Sequence, residues 1–239
     1  MQHLLACDTT TSFLALSICS REAAGAPVAM RAELSVNAGR RHAEGIFSAA
    51  EWLLEQTGLQ RDELTHLAVT TGPGSFTGLR IGVAAWKGLA YGLNLPLVGV
   101  PTLDALSRSH PWQDVSLCVM LDAKMSEVFT ATYRFQQGRR NKVRPDAVIP
   151  PSEAIAGLPS ETLFLGDGAL RYAGLIGESC PEARILGEEY GALTGKAVAC
   201  EAFALLDAGA AVDAALVEPV YLRKTQAEYN RDRAAAASA

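Results

Sequence analysis

The residues best suited to chemistry lie in Gly72-Pro73-Gly74-Ser75-Phe76-Thr77-Gly78, which follows a β-rich run at 67–71 and opens a stretch of small residues reaching about position 93. A glycine loop between strand and helix lets backbone N–H groups approach a phosphate at the positive helix end. Gly72, Gly74 and Ser75 are therefore candidate phosphate contacts. The spacing fits neither common motif. A P-loop closes on Gly-Lys-Ser/Thr where this chain has Gly78-Leu79-Arg80, and Gly72, Gly74 and Gly78 exceed G-x-G-x-x-G by one residue. No acid ends the next apolar run at 97–100. The same stretch has a structural reading. Gly78, Gly82, Ala85, Gly88 and Gly92 fall within about a third of the circumference of a helix. Each interior glycine costs about 1 kcal/mol relative to alanine, so the stripe implies a close backbone contact. Its partner is either the chain's own sheet and helices or a helix of another subunit.

Asp8 and Asp122 end apolar strand-like runs, where a carboxylate can orient a metal or water between two lobes or bond the N–H groups of a turn. The histidines, His3, His42, His66 and His110, are at least 24 residues apart and form no i, i+4 ligand pair. Ser75 lacks the G-x-S-x-G elbow and Cys7 lies inside an apolar strand, which argues against nucleophilic catalysis. The five cysteines have no C-x-x-C spacing and read as reduced, buried thiols. Arg139, Arg140, Lys142 and Arg144 belong to an acid-free basic run at 134–144, and a second basic cluster spans 223–233. Such clusters are solvated faces or phosphate contacts for RNA.

The elements that must hold these residues alternate strand and helix. Residues 3–7 and 13–19 form a hairpin around the bend Asp8-Thr9-Thr10-Thr11-Ser12, a third strand covers 28–35, and Ile46, Phe47, Ala50, Leu53 and Leu54 recur at helical spacing. A second hairpin, 117–121 and 128–135, echoes the first. Moving Asp8 onto Asp122 carries Ser12 onto Ser126 and Leu14 onto Val128, an offset of 114 in 239 residues, so a duplicated fold is the simplest account. The expected division is a first lobe at 1–106, a second at 107–233 and a disordered tail at 234–239. A strand at 162–165, the turn Gly166-Asp167-Gly168 and an Ala-rich helix at 193–208 complete the second lobe. A hydrophobic content of 49% against 20% charged residues excludes general disorder, and a net charge of −5 excludes a broad basic footprint for nucleic acid. The uncharged runs fall short of the roughly 18 apolar residues a membrane span needs, and the opening residues lack a secretion signal, so a cytoplasmic location is expected, with no membrane partner.

The opening LLACDTTTSFLALSI, the segment TTGPGSFTGLRIGVAAWKGLAYGLNLPLVGVPTLDAL, the segment LDAKMSEVFTATY and the ending EPVYLR together resemble the bacterial TsaB family. The resemblance covers nearly the whole chain and implies an α/β fold of duplicated actin-like (ASKHA, ribonuclease H-like) type with two lobes. It implies a role in forming N6-threonylcarbamoyladenosine beside the anticodon of tRNAs that read codons beginning with A, in a complex with the catalytic relative TsaD and the ATPase TsaE. In TsaD a motif shaped like G-V-H-H-L-E-G-H supplies two metal-binding histidines. Here Gly99-Val100-Pro101-Thr102-Leu103-Asp104-Ala105-Leu106 places Thr102 and Leu106 where those ligands stand, and neither replaces imidazole at a transition-metal site.

A non-catalytic scaffold without metal is the reading this implies; a glycoprotease-type metallopeptidase and an actin-like small-molecule kinase are the alternatives. Asp8-Thr9-Thr10 suits a first phosphate loop, Asp122-Ala123-Lys124 lacks the glycine of a second, and Gly166 and Gly168 resemble a remnant of an adenosine loop, so no cofactor is firmly implied: ATP hydrolysis is not expected, weak nucleotide binding stays open, and the complex is a place where ATP or ADP can bind. The resemblance further implies that helices at about 42–57 and 77–93, with Ile46, Ala50, Gly78, Gly82, Ala85, Gly88 and Gly92, form a homodimer in isolation and the competing contact with TsaD. tRNA is reached through the complex.

Overall fold

A computed structural model describes residues 1–37, 42–109, 114–210 and 213–223 and places them in two five-stranded mixed sheets with helices between and outside them. In the first sheet β1 (Gln2–Asp8), β2 (Phe13–Arg21) and β3 (Ala29–Asn37) form an antiparallel meander. After helix α1 (His42–Thr57), β4 (His66–Gly72) pairs parallel to β1. Helix α2 (Phe76–Leu93) crosses back to β5 (Leu97–Pro101), which pairs parallel to β4 and runs into α3 (Thr102–Ser107). The second sheet repeats the plan with β6 (Ser116–Lys124), β7 (Glu127–Gln136) and β8 (Arg139–Ile149), then α4 (Pro151–Ile155) and β9 (Leu163–Leu165). It continues through α5 (Asp167–Arg171), α6 (Ala173–Ser179), β10 (Arg184–Ile185), α7 (Glu188–Gly191) and α8 (Gly195–Asp207), with a 3-10 turn at Ala214–Leu216.

The strand orders, β3-β2-β1-β4-β5 and β8-β7-β6-β9-β10, are one topology used twice, so the duplication read from the hairpins extends to whole sheets. The second bend is tighter by one residue. Asp8 lies opposite Ala15, whereas Asp122 lies opposite Val128, and the shorter turn is made by three successive left-handed residues, Lys124, Met125 and Ser126.

β1 is apolar on both faces because it is covered on both. Leu5 and Cys7 join Leu16, Ile46, Leu53, Val83 and Trp86 under α1 and α2, while Leu4 and Ala6 face a second core with Val98, Leu117, Val119, Tyr133, Ala197 and Phe203. This second core is shared by both sheets. The two sheets fall on either side of the expected boundary between 1–106 and 107–233, while α8, although late in sequence, packs on β1, β2 and β5 of the first sheet. Its glycine allows the approach, since a Cβ on Gly195 would fall 2.4 Å from the Leu16 carbonyl carbon. The joint at 110–113, with His110, and the tail at 234–239 lie outside the described residues.

The basic run at 139–144 forms β8, an edge strand of the second sheet. Lysine, arginine and Pro145 on such an edge discourage pairing with another chain. All five cysteines are unpaired, four of them buried, and burial pushes the Cys7 thiol up and the Cys19 thiol to about 12. Among the described residues no helix is long and apolar enough to cross a membrane.

Candidate functional site

A cleft of about 890 Å³ opens between the lobes. The β1–β2 bend and the start of α2 form one wall, the β6–β7 bend with α5 and α7 the other, and residues 220–223 lie at its edge. Of the expected loop residues, Thr10, Gly74, Ser75 and Asp122 line it. Asp8, Thr9, Gly72, Gly166 and Gly168 lie behind the wall.

Asp8 is fully buried and its carboxylate accepts hydrogen bonds from the Thr10 amide (2.9 Å), the Thr10 hydroxyl (2.6 Å), the Thr70 hydroxyl (2.6 Å) and the Thr11 hydroxyl (3.1 Å). Burial pushes its pKa up against these bonds. Thr9 Oγ1 donates to Gly78 O at 2.7 Å, and the Ser75 amide donates to Thr10 O at 2.8 Å. The threonine bend and the glycine loop are thus bonded to each other. A Cβ on Gly74 would fall 2.6 Å from Thr10 O, and one on Gly78 would fall 1.8 Å from Thr9 O. These glycines exist to let the two loops touch. Ser75 caps α2, its hydroxyl accepting from the Gly78 amide at 3.3 Å.

The opposite wall is closed in a similar way. Asp122 accepts from the Lys124 amide (2.9 Å) and pairs with Lys124 Nζ (2.6 Å) and Arg171 (2.9 Å), while its own amide donates to Asp167 at 2.9 Å. Burial works to raise the Asp122 carboxyl, but the bonds from Lys124 and the Lys124 and Arg171 charges hold it below the usual value. Gly166, with φ +110°, and Gly168 press α5 against β6, where a Cβ would fall 2.3 Å and 2.9 Å from Met120 O. The Asp8 and Asp122 carboxylates, the Thr9 hydroxyl and the Thr10, Ser75 and Lys124 amides thus all have partners within the protein.

Thr102 is buried with its hydroxyl 3.4 Å from that of Thr10, and Leu106 is core. Among the described residues no three His, Cys, Asp or Glu side chains gather to hold a metal ion.

Two groups of expected contact residues have neighbours within the chain itself. Ile46 and Ala50 are core, and Gly78 and Gly82 pack against Thr9 of the same chain; a Cβ on Gly82 would fall 2.2 Å from Thr9 Oγ1. All four are buried in the isolated chain. The outer part of the stripe differs: Gly88 and Gly92 are exposed with nothing within 4 Å of an added Cβ, and Ala85 is half-buried. Phe47 and Trp52 on α1 and Tyr91 on α2 are exposed large apolar side chains.

Three of the four basic side chains have partners within the chain, though none of them is buried. Arg140 pairs with buried Glu201 at 2.7 Å and donates to Asp104 O and Ser107 Oγ, Lys142 pairs with Asp104 (3.0 Å) and Asp146 (2.6 Å), and Arg144 donates to Ala154 O and Ala156 O. Carboxylates offset the charges of Arg140 and Lys142, whereas Arg144 keeps its charge beside two carbonyl oxygens. Arg139 is exposed. Positions 224–233 of the second cluster lie outside the described residues.

The sequence reading missed the apolar character of the cleft, which Phe13, Phe76, Met125, Phe129 and Tyr221 give it.

A family model described as "TsaD: tRNA N6-adenosine threonylcarbamoyltransferase" matches residues 36–230. The tRNA threonylcarbamoyladenosine biosynthesis protein TsaB of Escherichia coli is 33% identical, with 79% of this chain and 83% of that protein covered. A tRNA N6-adenosine threonylcarbamoyltransferase of Latilactobacillus sakei is 49% identical over a shorter region, 26% of this chain and 18% of that protein. A crystal structure from Pseudomonas aeruginosa, described as an uncharacterized protein with similarity to peptidase YeaZ, superposes with a TM-score of 0.78 at 26% identity and covers 93% of this chain and 100% of that one.

Proposed function

The chain belongs to the TsaB family, and from this premise we propose that it is a non-catalytic subunit of the machinery that makes N6-threonylcarbamoyladenosine in tRNA, acting by docking a TsaD-type transferase. The observation that carries the docking role is the exposed face of α1 and α2. Phe47 and Trp52 on α1 are 50% and 45% exposed and Tyr91 on α2 is 63% exposed, and Gly88 and Gly92 on the outer side of α2 carry no side chain to keep another helix away. Large aromatics around a small-residue surface are the usual anchors of a protein interface. A homodimer of the isolated chain uses the same face, which makes it compete with the transferase. A TsaE-type ATPase joins the pair, and tRNA is reached through the complex.

The non-catalytic assignment rests on Thr102 and Leu106 at the histidine positions of the relative, both inside the core. This disfavours the metallopeptidase reading. The kinase reading is disfavoured by the two loops bonded to each other across Thr10 and Ser75. ATP or ADP belongs to the assembled complex and no metal to this chain. The test is sedimentation of the chain with the TsaD-type transferase of its own source. Wild type forms a heterodimer, and Gly88→Trp, folded by thermal melting, loses it. Equal association of the two places the partner elsewhere.

A further inference from the structure

Residues 213–223 run along the first lobe and reach the second at the mouth of the cleft. Their hold on the first lobe is broad. Lys87 Nζ on α2 donates to Ala215 O and Val217 O, both at 3.1 Å, and the Val220 amide donates to Thr71 O at 2.7 Å. Tyr221 lies on Phe76 with ring centroids 4.8 Å apart, and Arg80 donates to the tyrosine hydroxyl at 3.1 Å while covering the Phe76 ring at 3.9 Å. Gly72 is fitted to the strap, with φ +116° and no Cβ to strike Val220 O, which would lie 2.6 Å away.

The hold on the second lobe is narrow. Arg223 donates to Ala123 O and pairs with Glu127 at 3.8 Å, on either side of the left-handed bend Lys124, Met125 and Ser126. Among the described residues, backbone bonds and an aromatic stack secure the first attachment, and the second runs through the Arg223 side chain, which also meets Met125 Sδ.

We propose that residues 213–223 are an interlobe clasp, hinged on α2 and β4 of the first lobe and latched to the second lobe by Arg223. Release of this side chain frees the β6–β7 bend and opens the cleft while the strap stays seated. The clasp needs no assumption about what docks on α1 and α2, so its test runs on the isolated full chain.

Hydrogen exchange read by mass spectrometry compares wild type with Arg223→Ala. Amides at 122–129 and 9–13 are expected to exchange about tenfold faster in the variant, while those at 213–221 keep their wild-type rates. Glu127→Gln, which keeps the carbonyl bond, is expected to give the same pattern with a smaller factor and carries the test if Arg223→Ala does not fold. Unchanged rates at the bend overturn the latch. Faster exchange of 213–221 together with the bend overturns the hinge.

Discussion

The glycine stripe of α2 divides into two halves that must respond in opposite directions to the same substitution. Replacing glycine by alanine inside a helix gains about 1 kcal/mol where the new methyl meets nothing. Gly88 and Gly92 meet that condition, with no heavy atom within 4 Å, so Gly88→Ala and Gly92→Ala are expected to stabilise the monomer by up to about 1 kcal/mol. At Gly82 the methyl carbon would lie 2.2 Å from Thr9 Oγ1, an atom engaged at 2.7 Å with Gly78 O. Moving it costs that bond, about 1 kcal/mol, and overpacking costs about 1 to 3 kcal/mol more. Net of the helix gain, Gly82→Ala loses about 1 to 3 kcal/mol, or roughly 2 to 12 °C in Tm at 2 to 4 °C per kcal/mol for a chain of this size. Gly78→Ala is worse, because the obstacle at 1.8 Å is the Thr9 backbone carbonyl, which cannot rotate away. Thermal and urea unfolding followed by circular dichroism, at concentrations low enough to keep the protein monomeric, reads all four. A stable Gly82→Ala, or a loss at Gly88 equal to that at Gly82, would refute the division.

Asp207→Asn removes the partner of Arg21, whose side chain is 2% exposed, and is expected to cost about 2 kcal/mol. The Arg21 hydrogen bond holds the Asp207 carboxyl below its usual value, so its contribution is present above the unfolded value of about 3.9 and fades as pH falls through the folded one; unfolding measured from pH 6 to pH 2 should show a shallower acid loss in the variant. Glu201→Gln, which leaves Arg108 and Arg140 without their buried carboxylate, is expected to lose about 3 kcal/mol in urea unfolding. Arg140→Ala should lower Tm, and Arg139→Ala should leave it unchanged; a reversal would return Arg140 to the surface. Asp8→Asn should destabilise the threonine bend without altering ATP hydrolysis by the isolated chain, which is expected to be negligible. Steady turnover abolished by Asp8→Asn would show that the two loops do take a nucleotide.

The parts of this fold written in local pattern were legible. Alternation and apolar runs marked both hairpins, the helical spacing of Ile46, Ala50 and Leu53 marked α1, and the glycine segment marked the turn from β4 into α2. What depends on distant neighbours was not. An Ala-rich helix such as α8 is small on every side, so nothing in its own residues says that it returns to the first sheet. The run at 134–144 contains no acid, yet Asp104 and Glu201, far away in the chain, neutralise Arg140 and Lys142. A small-residue stripe states that something comes close and not what comes; here Thr9 fills one half. At the cleft, the sequence identified the loops but not that they bond to each other.

The docking account is tested most directly by making the modification from defined components. A TsaD-type transferase, a TsaE-type ATPase, a separate synthase for the threonylcarbamoyl-adenylate donor, tRNA, ATP, threonine and bicarbonate are combined with and without this chain, and threonylcarbamoyladenosine is measured in the digested tRNA. The account predicts that product forms with the wild-type chain, forms equally with Arg139→Ala, and falls to the level without the chain when Gly88→Trp replaces it. Full modification in the absence of the chain, or with folded Gly88→Trp, would contradict it.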